Sequence, residues 1–277
     1  MRGGHMRVDR WSRYGLLLVP ALVLLVTLGC SQEKNGAKAP GKDGRQEGGK
    51  IAQETQASSR STTTTEVATA RGTGTITGVV KFAGTPVPPE KISVTKDKAT
   101  CGQEKRSKAL VVGPNRGVQY AVVSLTGIKT TPGTSADNPQ LDQKGCEFKP
   151  HVLIAPAGST IDILNSDGLL HNFHTTSAKN PSVNKAQPGF RKKMKVKFDQ
   201  PEIVKVTCDA HAWMQGWIVV AEHPYYAVTD ETGSFTLANV PVGSYQLNIW
   251  HETLGKAGKD VTVHARKETP VSFELTK

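Results

Sequence analysis

From Gly74 to the C-terminus, short runs of alternating apolar and polar residues are separated by Gly, Pro, Asn and Asp. In residues 192–198, Met194, Val196 and Phe198 alternate with lysines, which is typical of a strand with one face in water. No helical period of useful length appears in this region. The pattern predicts an all-β folded part and places Met194 in its core.

Residues 203–208 predict a second strand of the same kind. Val204, Val206 and Cys208 share one face of this strand, and Lys205 and Thr207 share the other. The thiol of Cys208 therefore points inward at a strand end, where it is shielded from water and close to the loop that follows.

The tail, residues 226–275, predicts strands joined by tight turns at Asp-Glu-Thr-Gly (230–233) and Val-Pro-Val-Gly (240–243), and residues 261–275 predict two more strands. The tail resembles the second half of a carboxypeptidase-regulatory-like domain, a small prealbumin-type sandwich. Residues 74–82 and 121–125 resemble the first half of that domain.

The N-terminus resembles an export signal. An apolar run at residues 15–29 follows three arginines and is shorter than the roughly 20 residues of a spanning helix. The run ends in Thr-Leu-Gly-Cys30, which resembles the lipobox of bacterial lipoproteins and implies that Cys30 carries lipid. An ordinary cleaved signal and an uncleaved anchor helix are the alternatives. All three place the folded part outside the cytoplasm, in the periplasm or cell envelope.

Residues 31–73 contain mainly small and polar residues and predict a disordered tether, because they cannot bury enough apolar surface to offset the entropy of ordering. The formal net charge of the chain is +11. No basic motif interleaved with aromatic residues accompanies this charge, so we do not expect a nucleic acid as partner.

The segment Cys208-Asp-Ala-His211-Ala-Trp-Met214 combines a thiolate, an imidazole and a thioether at short spacing. These soft and borderline ligands suit copper in both oxidation states. Half of a structural zinc site is an alternative, but no second ligand pair at matching spacing is present. A binuclear copper centre would need a cysteine where Val204 stands.

The Cys-x-x-His-x-x-Met spacing resembles the ligand loop of amicyanin-like and plastocyanin-like blue copper proteins, the cupredoxin family. The segment from Asn165 to Asn172 resembles the family's upstream pattern, which implies His171 as the second imidazole ligand and Asn172 as a residue that supports the ligand loop. The resemblance covers roughly residues 146–222 and implies one type 1 copper ion in a Greek-key sandwich. Residues three apart on a strand face opposite sides, so His171 and His174 cannot both enter one site. We expect His171 as the ligand and keep His174 as the runner-up.

The remaining cysteines are Cys101 and Cys146, which can pair in an oxidising compartment. Such a disulfide would contribute roughly 4 kcal/mol on the chain-entropy model. A free thiol or a metal ligand is the alternative for either cysteine.

These observations divide the chain into a signal with lipobox (1–30), a tether (31–73), the first strands of the regulatory-like sandwich (74–129), the copper domain (130–223) and the rest of the sandwich (224–277). The copper domain would then be inserted into the prealbumin-like sandwich. Alternatively, residues 74–127 supply the first strands of the cupredoxin itself.

We read the protein as an electron carrier and not an enzyme, because a type 1 site has no open position and no nucleophile-base pair has a readable motif. We expect electrons to leave through an exposed edge of His211, with Ala212 and Trp213 as an apolar contact patch. Lysines 193, 195 and 197 are candidates for steering an acidic partner. The resemblance implies a cytochrome c or a dehydrogenase as partner.

Two other functions stay open. The first is a copper-binding module for storage, delivery or sensing. The second is a structural or adhesive envelope lipoprotein in which the copper motif is degenerate. Bound metal and its rate of release distinguish them from an electron carrier.

Overall fold

The computed structural model describes residues 72–128, 130 and 137–277 of the chain. The predicted signal, the lipid site at Cys30 and nearly all of the tether lie outside these residues. In the part that is described, no helix is long and apolar enough to cross a membrane.

The described chain is all-β, as predicted, with one four-residue helix, α1 (Lys98–Cys101), and a 3-10 turn at Pro114–Arg116. In chain order the strands are β1 (Thr73–Phe82), β2 (Lys91–Ser93), β3 (Glu104–Arg106), β4 (Val122–Thr126), β5 (Gln140–Gln143), β6 (Phe148–Lys149), β7 (Val152–Pro156), β8 (Thr160–Asn165), β9 (His171–Thr176), β10 (Asn184–Gln187), β11 (Lys193–Lys197), β12 (Glu202–Thr207), β13 (Gln215–Ala221), β14 (Tyr226–Val228), β15 (Ser234–Pro241), β16 (Gly243–His251), β17 (Gly255–Val263) and β18 (Glu268–Leu275).

Strands from both ends of the described chain build the first sandwich. One sheet has the order β15-β1-β18 and the other β14-β4-β16-β17. The inward residues form one core that includes Ile76, Val80, Leu125, Leu247 and Val263. Neither β1 nor β4 pairs with a strand between β5 and β13. The first sandwich is thus assembled from chain segments on both sides of the second.

The second sandwich contains the middle of the chain. Its sheets have the orders β10-β9-β12-β13-β7 and β11-β8-β5-β6. The alternation in residues 192–198 forms β11, where Val196 is buried and the lysines are exposed. Met194 packs against the core of this sandwich, as the pattern predicts. The boundary expected at residues 129 and 130 falls at a gap in the described residues, so the division into domains stays a prediction.

A turn at residues 230–233 shows how the sequence shapes the first sandwich. The Asp230 carboxylate accepts hydrogen bonds from the backbone N–H groups of Thr232 and Ser234. Gly233 has φ +77°, and a Cβ there would lie 2.3 Å from the carbonyl oxygen of Val80. Only glycine combines this backbone conformation with so close an approach to β1.

A third, smaller cluster lies between the two sandwiches. Val122 of the first sandwich and Val152 and Val219 of the second are buried in it. Trp217 of β13 and Trp250 of β16 meet edge to face, with ring centroids 4.9 Å apart. The sandwiches therefore share an apolar contact.

Candidate metal centre

The loop between β12 and β13 holds Cys208, His211 and Met214. Cys208 follows the last residue of β12 and Met214 precedes the first residue of β13. Backbone hydrogen bonds close the loop: Cys208 donates to the Met214 carbonyl at 3.3 Å, and Met214 donates to the His211 carbonyl at 2.9 Å. This short loop turns all three side chains toward one end of the sandwich.

His171, the first residue of β9, approaches the loop from the neighbouring strand. β9 pairs with β12, with His174 opposite Thr207. Burial along β9 alternates, so His171, Phe173 and Thr175 face inward. Pairing of these two strands is what brings residue 171 next to residues 208 and 211.

Three donor atoms converge at this point. The Nδ1 atoms of His171 and His211 are 3.1 Å apart. The Sγ atom of Cys208 lies 3.9 Å from Nδ1 of His171 and 3.8 Å from Nδ1 of His211. Ligand atoms about 2.0–2.3 Å from a common metal ion are separated by such distances. The donor set therefore fits one metal ion.

All the residues predicted as ligands are buried. His171 and His211 are 0% exposed, and Cys208 and Met214 are 2% exposed. Met214 belongs to the same apolar cluster as Cys208. Its role as the axial ligand stays a prediction.

His174 lies away from this cluster. It is half-buried on the opposite face of β9, and its Nδ1 atom is 2.9 Å from a carboxylate oxygen of Asp209. The two histidines three residues apart thus face opposite ways, because β9 has no bulge between them.

Asn172 supports the ligand loop in two ways. Its backbone N–H donates to Cys208 Sγ at 3.3 Å, and its side-chain Oδ1 accepts from the backbone N–H of Asp209 at 3.4 Å. Its Nδ2 atom donates to Asn184 on β10 at 2.7 Å. The residue therefore connects β9 and β10 to the start of the loop.

Two carboxylates that the sequence did not indicate hold the imidazoles. Oδ2 of Asp167 lies 2.9 Å from Nε2 of His171, and Oδ2 of Asp97 lies 2.9 Å from Nε2 of His211. A carboxylate only accepts, so a hydrogen on each Nε2 atom satisfies this contact and leaves the Nδ1 lone pair of that ring for a metal. Carboxylates in this position orient metal-binding histidines and increase their basicity.

The pKa values at the site follow from burial and these contacts. Burial lowers the pKa of His171, with the Asp167 carboxylate acting in the opposite direction. Burial favours a raised pKa at Asp167, but backbone hydrogen bonds from Cys146 and Gly145, together with the contact with His171, hold this pKa below its usual range. Burial raises the pKa of Cys208, against hydrogen bonds to its sulfur. A bound cation would stabilise the thiolate that this pocket otherwise disfavours.

The predicted disulfide between Cys101 and Cys146 is present, with the Cα atoms 5.2 Å apart. Cys101 ends α1, which begins directly after Asp97. Cys146 donates its backbone N–H to Asp167 at 2.7 Å. The disulfide therefore joins the segment that carries Asp97 to the turn whose backbone holds the Asp167 carboxylate.

The expectation of an exposed His211 edge is wrong. Residues 91–106, which we call the cap segment, contain β2, α1 and β3 and lie over this histidine. Asp97 of the cap contacts the ring, and Val94 and Cys101 of the cap are buried in the core of the second sandwich. The ring is covered because a segment distant in sequence is fastened above it.

Comparison with known proteins adds similarities of limited extent. The family model "Carboxypeptidase regulatory-like domain" matches residues 204–276, just over a quarter of the chain. This range contains the tail, as the sequence indicated, and also most of β12, the ligand loop and β13. A comparison with curated protein sequences finds no match.

Among solved structures, amicyanin from Paracoccus versutus is similar with a TM-score of 0.27 and 16% identity, over 36% of this chain and 97% of amicyanin. The purple cupredoxin from Nitrosopumilus maritimus has a TM-score of 0.26 and 19% identity, over 31% of this chain and 100% of that protein. The copper-containing nitrite reductase from Thermus scotoductus has a TM-score of 0.29 and 21% identity, over 33% of this chain and 25% of the reductase.

Proposed function

We propose that the protein is a single-electron carrier with one type 1 copper ion, held by His171, Cys208 and His211 and, axially, by Met214. The observation that carries the proposal is the convergence of two imidazole Nδ1 atoms and one thiol sulfur within 3.9 Å of one another. Thiolate and imidazole ligands with a weak thioether suit both oxidation states of copper, so the ion supplies reversible one-electron chemistry.

The burial of the site supports electron transfer over catalysis. The side chains of the proposed ligands are all buried, and the cap segment lies over His211. A substrate would need an open coordination position and a path to it. An electron needs neither.

The same burial argues against copper delivery. Rapid transfer of copper to another protein requires that incoming ligands reach the ion. Here one histidine is covered by a segment that a disulfide fastens to the second sandwich. We therefore propose that the site retains its copper during turnover.

We also propose that the protein is exported and attached to a membrane through lipid on Cys30. This proposal rests on the N-terminal sequence alone. The disulfide fits an oxidising compartment. A cytochrome c or a dehydrogenase of the envelope is the proposed partner.

The test is the visible absorption and copper EPR spectrum of the form that starts at Gly72, which keeps all of β1, loaded with copper(II). We expect an intense thiolate-to-copper charge-transfer band and narrow hyperfine splitting. Cys208→Ser and His171→Ala remove both, because each deletes a donor. His174→Ala is the matched control and leaves them unchanged, since its ring lies on the other face of β9. A colourless wild-type protein would refute the proposal.

A further inference from the structure

The ligand rings offer no direct contact with a redox partner. His171 and His211 are fully buried, and both Nε2 atoms are occupied by carboxylates. The probability of electron transfer falls steeply with the distance between donor and acceptor. An electron therefore needs another group that touches the ligands and also reaches the surface.

Trp213 meets both conditions. Its ring centroid lies 5.1 Å from that of His211, with the ring planes inclined by 60°. The indole Nε1–H donates to the carbonyl oxygen of Cys146 at 3.2 Å, which fixes the ring against the disulfide. The side chain is half-buried, so one part contacts the ligand and another part faces outward.

The outward part of Trp213 lines a surface cavity of about 570 Å³. The cap segment and the residues next to it also line this cavity. Its charged lining consists of Lys105, Arg106 and Lys108 and the carboxylates of Glu90 and Glu147. A concave site of this volume can admit a protruding side chain or loop of another molecule. The indole is thus accessible at the position where the imidazole is not.

Basic side chains exceed acidic ones in the lining by three to two, and one of the two carboxylates, Glu147, is already paired with Lys108, which favours an acidic partner. Lys105 donates to the carbonyl oxygen of Gly145 at 2.6 Å, and Lys108 and Lys149 both pair with Glu147. Arg106 is exposed; its backbone pairs with Lys91, but its guanidinium forms no hydrogen bond or ion pair with the residues that the structure describes. A guanidinium without an internal partner is available for a carboxylate of another protein.

We propose that electrons enter and leave through Trp213, and that the cavity beside it docks a redox protein whose contact surface carries carboxylates that meet Arg106. This inference rests on the proposed function and specifies its route. Lysines 193, 195 and 197 lie on β11 and take no part in docking. Lys193 and Lys197 are paired with Asp162 and Asp199.

The test measures the rate at which two small oxidants, hexacyanoferrate(III) and tris(phenanthroline)cobalt(III), oxidise the copper(I) protein in stopped flow. Trp213→Leu slows oxidation by both reagents about tenfold or more at an unchanged absorption spectrum, since it removes the ring between His211 and the surface. Trp213→Phe retains an aromatic ring and recovers most of the rate. Wild-type rates in Trp213→Leu with an intact spectrum would overturn the route.

Charge is tested separately, at low and high salt. Arg106→Glu slows the anionic oxidant several-fold at low salt, and the effect disappears as salt screens the charges. Lys195→Glu makes the same change of charge on β11 and leaves the rate unaltered. Equal slowing by both variants would show that only net charge matters and would overturn docking at the cavity. Absence of the charge-transfer band in the wild-type protein, in contrast, refutes the copper site itself.

Discussion

The Nε2 atoms of His171 and His211 each lie 2.9 Å from a carboxylate oxygen, and these two contacts decide which ring nitrogen can bind metal. Asp167 contributes more than one contact, because it also accepts from the backbone of Gly145 and Cys146. One buried carboxylate thus fixes an imidazole and the turn that holds half of the disulfide.

Asp167→Asn is expected to lower copper(II) affinity by tenfold or more, which corresponds to about 1.4 kcal/mol. An amide has one acceptor oxygen in place of two, so it cannot satisfy all three N–H donors. Competition with a chelator of known affinity measures the change. The control is Asp209→Asn, which alters the contact with His174 outside the site. Equal affinities in wild type and Asp167→Asn would contradict this role.

At the scale of single residues, sequence reasoning succeeded where ligands are close together along the chain. Cys208, His211 and Met214 fall within one loop, so their spacing alone suggested a metal site. Asp167 lies four residues before His171, but nothing in the local sequence marks it as the partner of that histidine. Asp97 is 114 residues from His211 and has no signal in the sequence.

The cap segment is the element that the strand pattern could not predict. It contains two three-residue strands and a four-residue helix, which are too short for a periodic signal. The disulfide to Cys146 and the hydrogen bond from Lys105 to Gly145 hold it in place. Its position depends on cross-links rather than on its own secondary structure.

Replacement of both bridging cysteines, Cys101→Ala with Cys146→Ala, is expected to lower the free energy of unfolding by up to about 4 kcal/mol. It should also speed backbone hydrogen exchange in residues 91–106, because the cap then opens locally. Denaturant unfolding and exchange mass spectrometry measure these effects. Reduction of the wild-type disulfide is the control and should reproduce them. Unchanged exchange in the cap would mean that Asp97 and Val94 suffice to hold it.

The alternation of apolar and polar residues also underestimated the length of strand β17. The sequence predicted a strand from residue 261, whereas β17 begins at Gly255. The first residues of β17 are Gly, Lys and Ala and lack an alternating pattern. The whole of β17, including these residues, nevertheless pairs with β16. Backbone hydrogen bonds to a neighbouring strand extend β17 beyond what its side chains indicate.

The two sandwiches meet close to the ligand loop. Glu252, in the turn after β16, accepts a hydrogen bond from Gln215, the residue after Met214, at 3.0 Å. Its other oxygen lies 2.5 Å from Nε2 of His151 in the second sandwich. The first sandwich therefore contacts the end of the loop that carries the predicted axial ligand.

The contact between the sandwiches predicts coupled stability. Trp217→Leu and Trp250→Leu should each destabilise the protein, with a coupling energy of about 0.5–1.5 kcal/mol in a double-mutant cycle, because the rings pack edge to face. Urea unfolding followed by circular dichroism measures it. The control cycle pairs Trp217→Leu with Phe273→Leu, in the separate core of the first sandwich, and should be additive. Additivity in the tryptophan pair would show that the sandwiches are energetically independent.

The sequence by itself determined the all-β class, the inward direction of Cys208 and its short spacing to His211 and Met214, and it favoured the pairing of Cys101 with Cys146 without deciding it. These features depend on local alternation, on short spacings and on cysteine count. Only the tertiary structure decided that His171 and not His174 faces the loop, that Asp97 and Asp167 hold the imidazoles, and that the cap covers His211. Strand register and cross-links bring together residues that are distant along the chain, and a local pattern contains no information about such contacts.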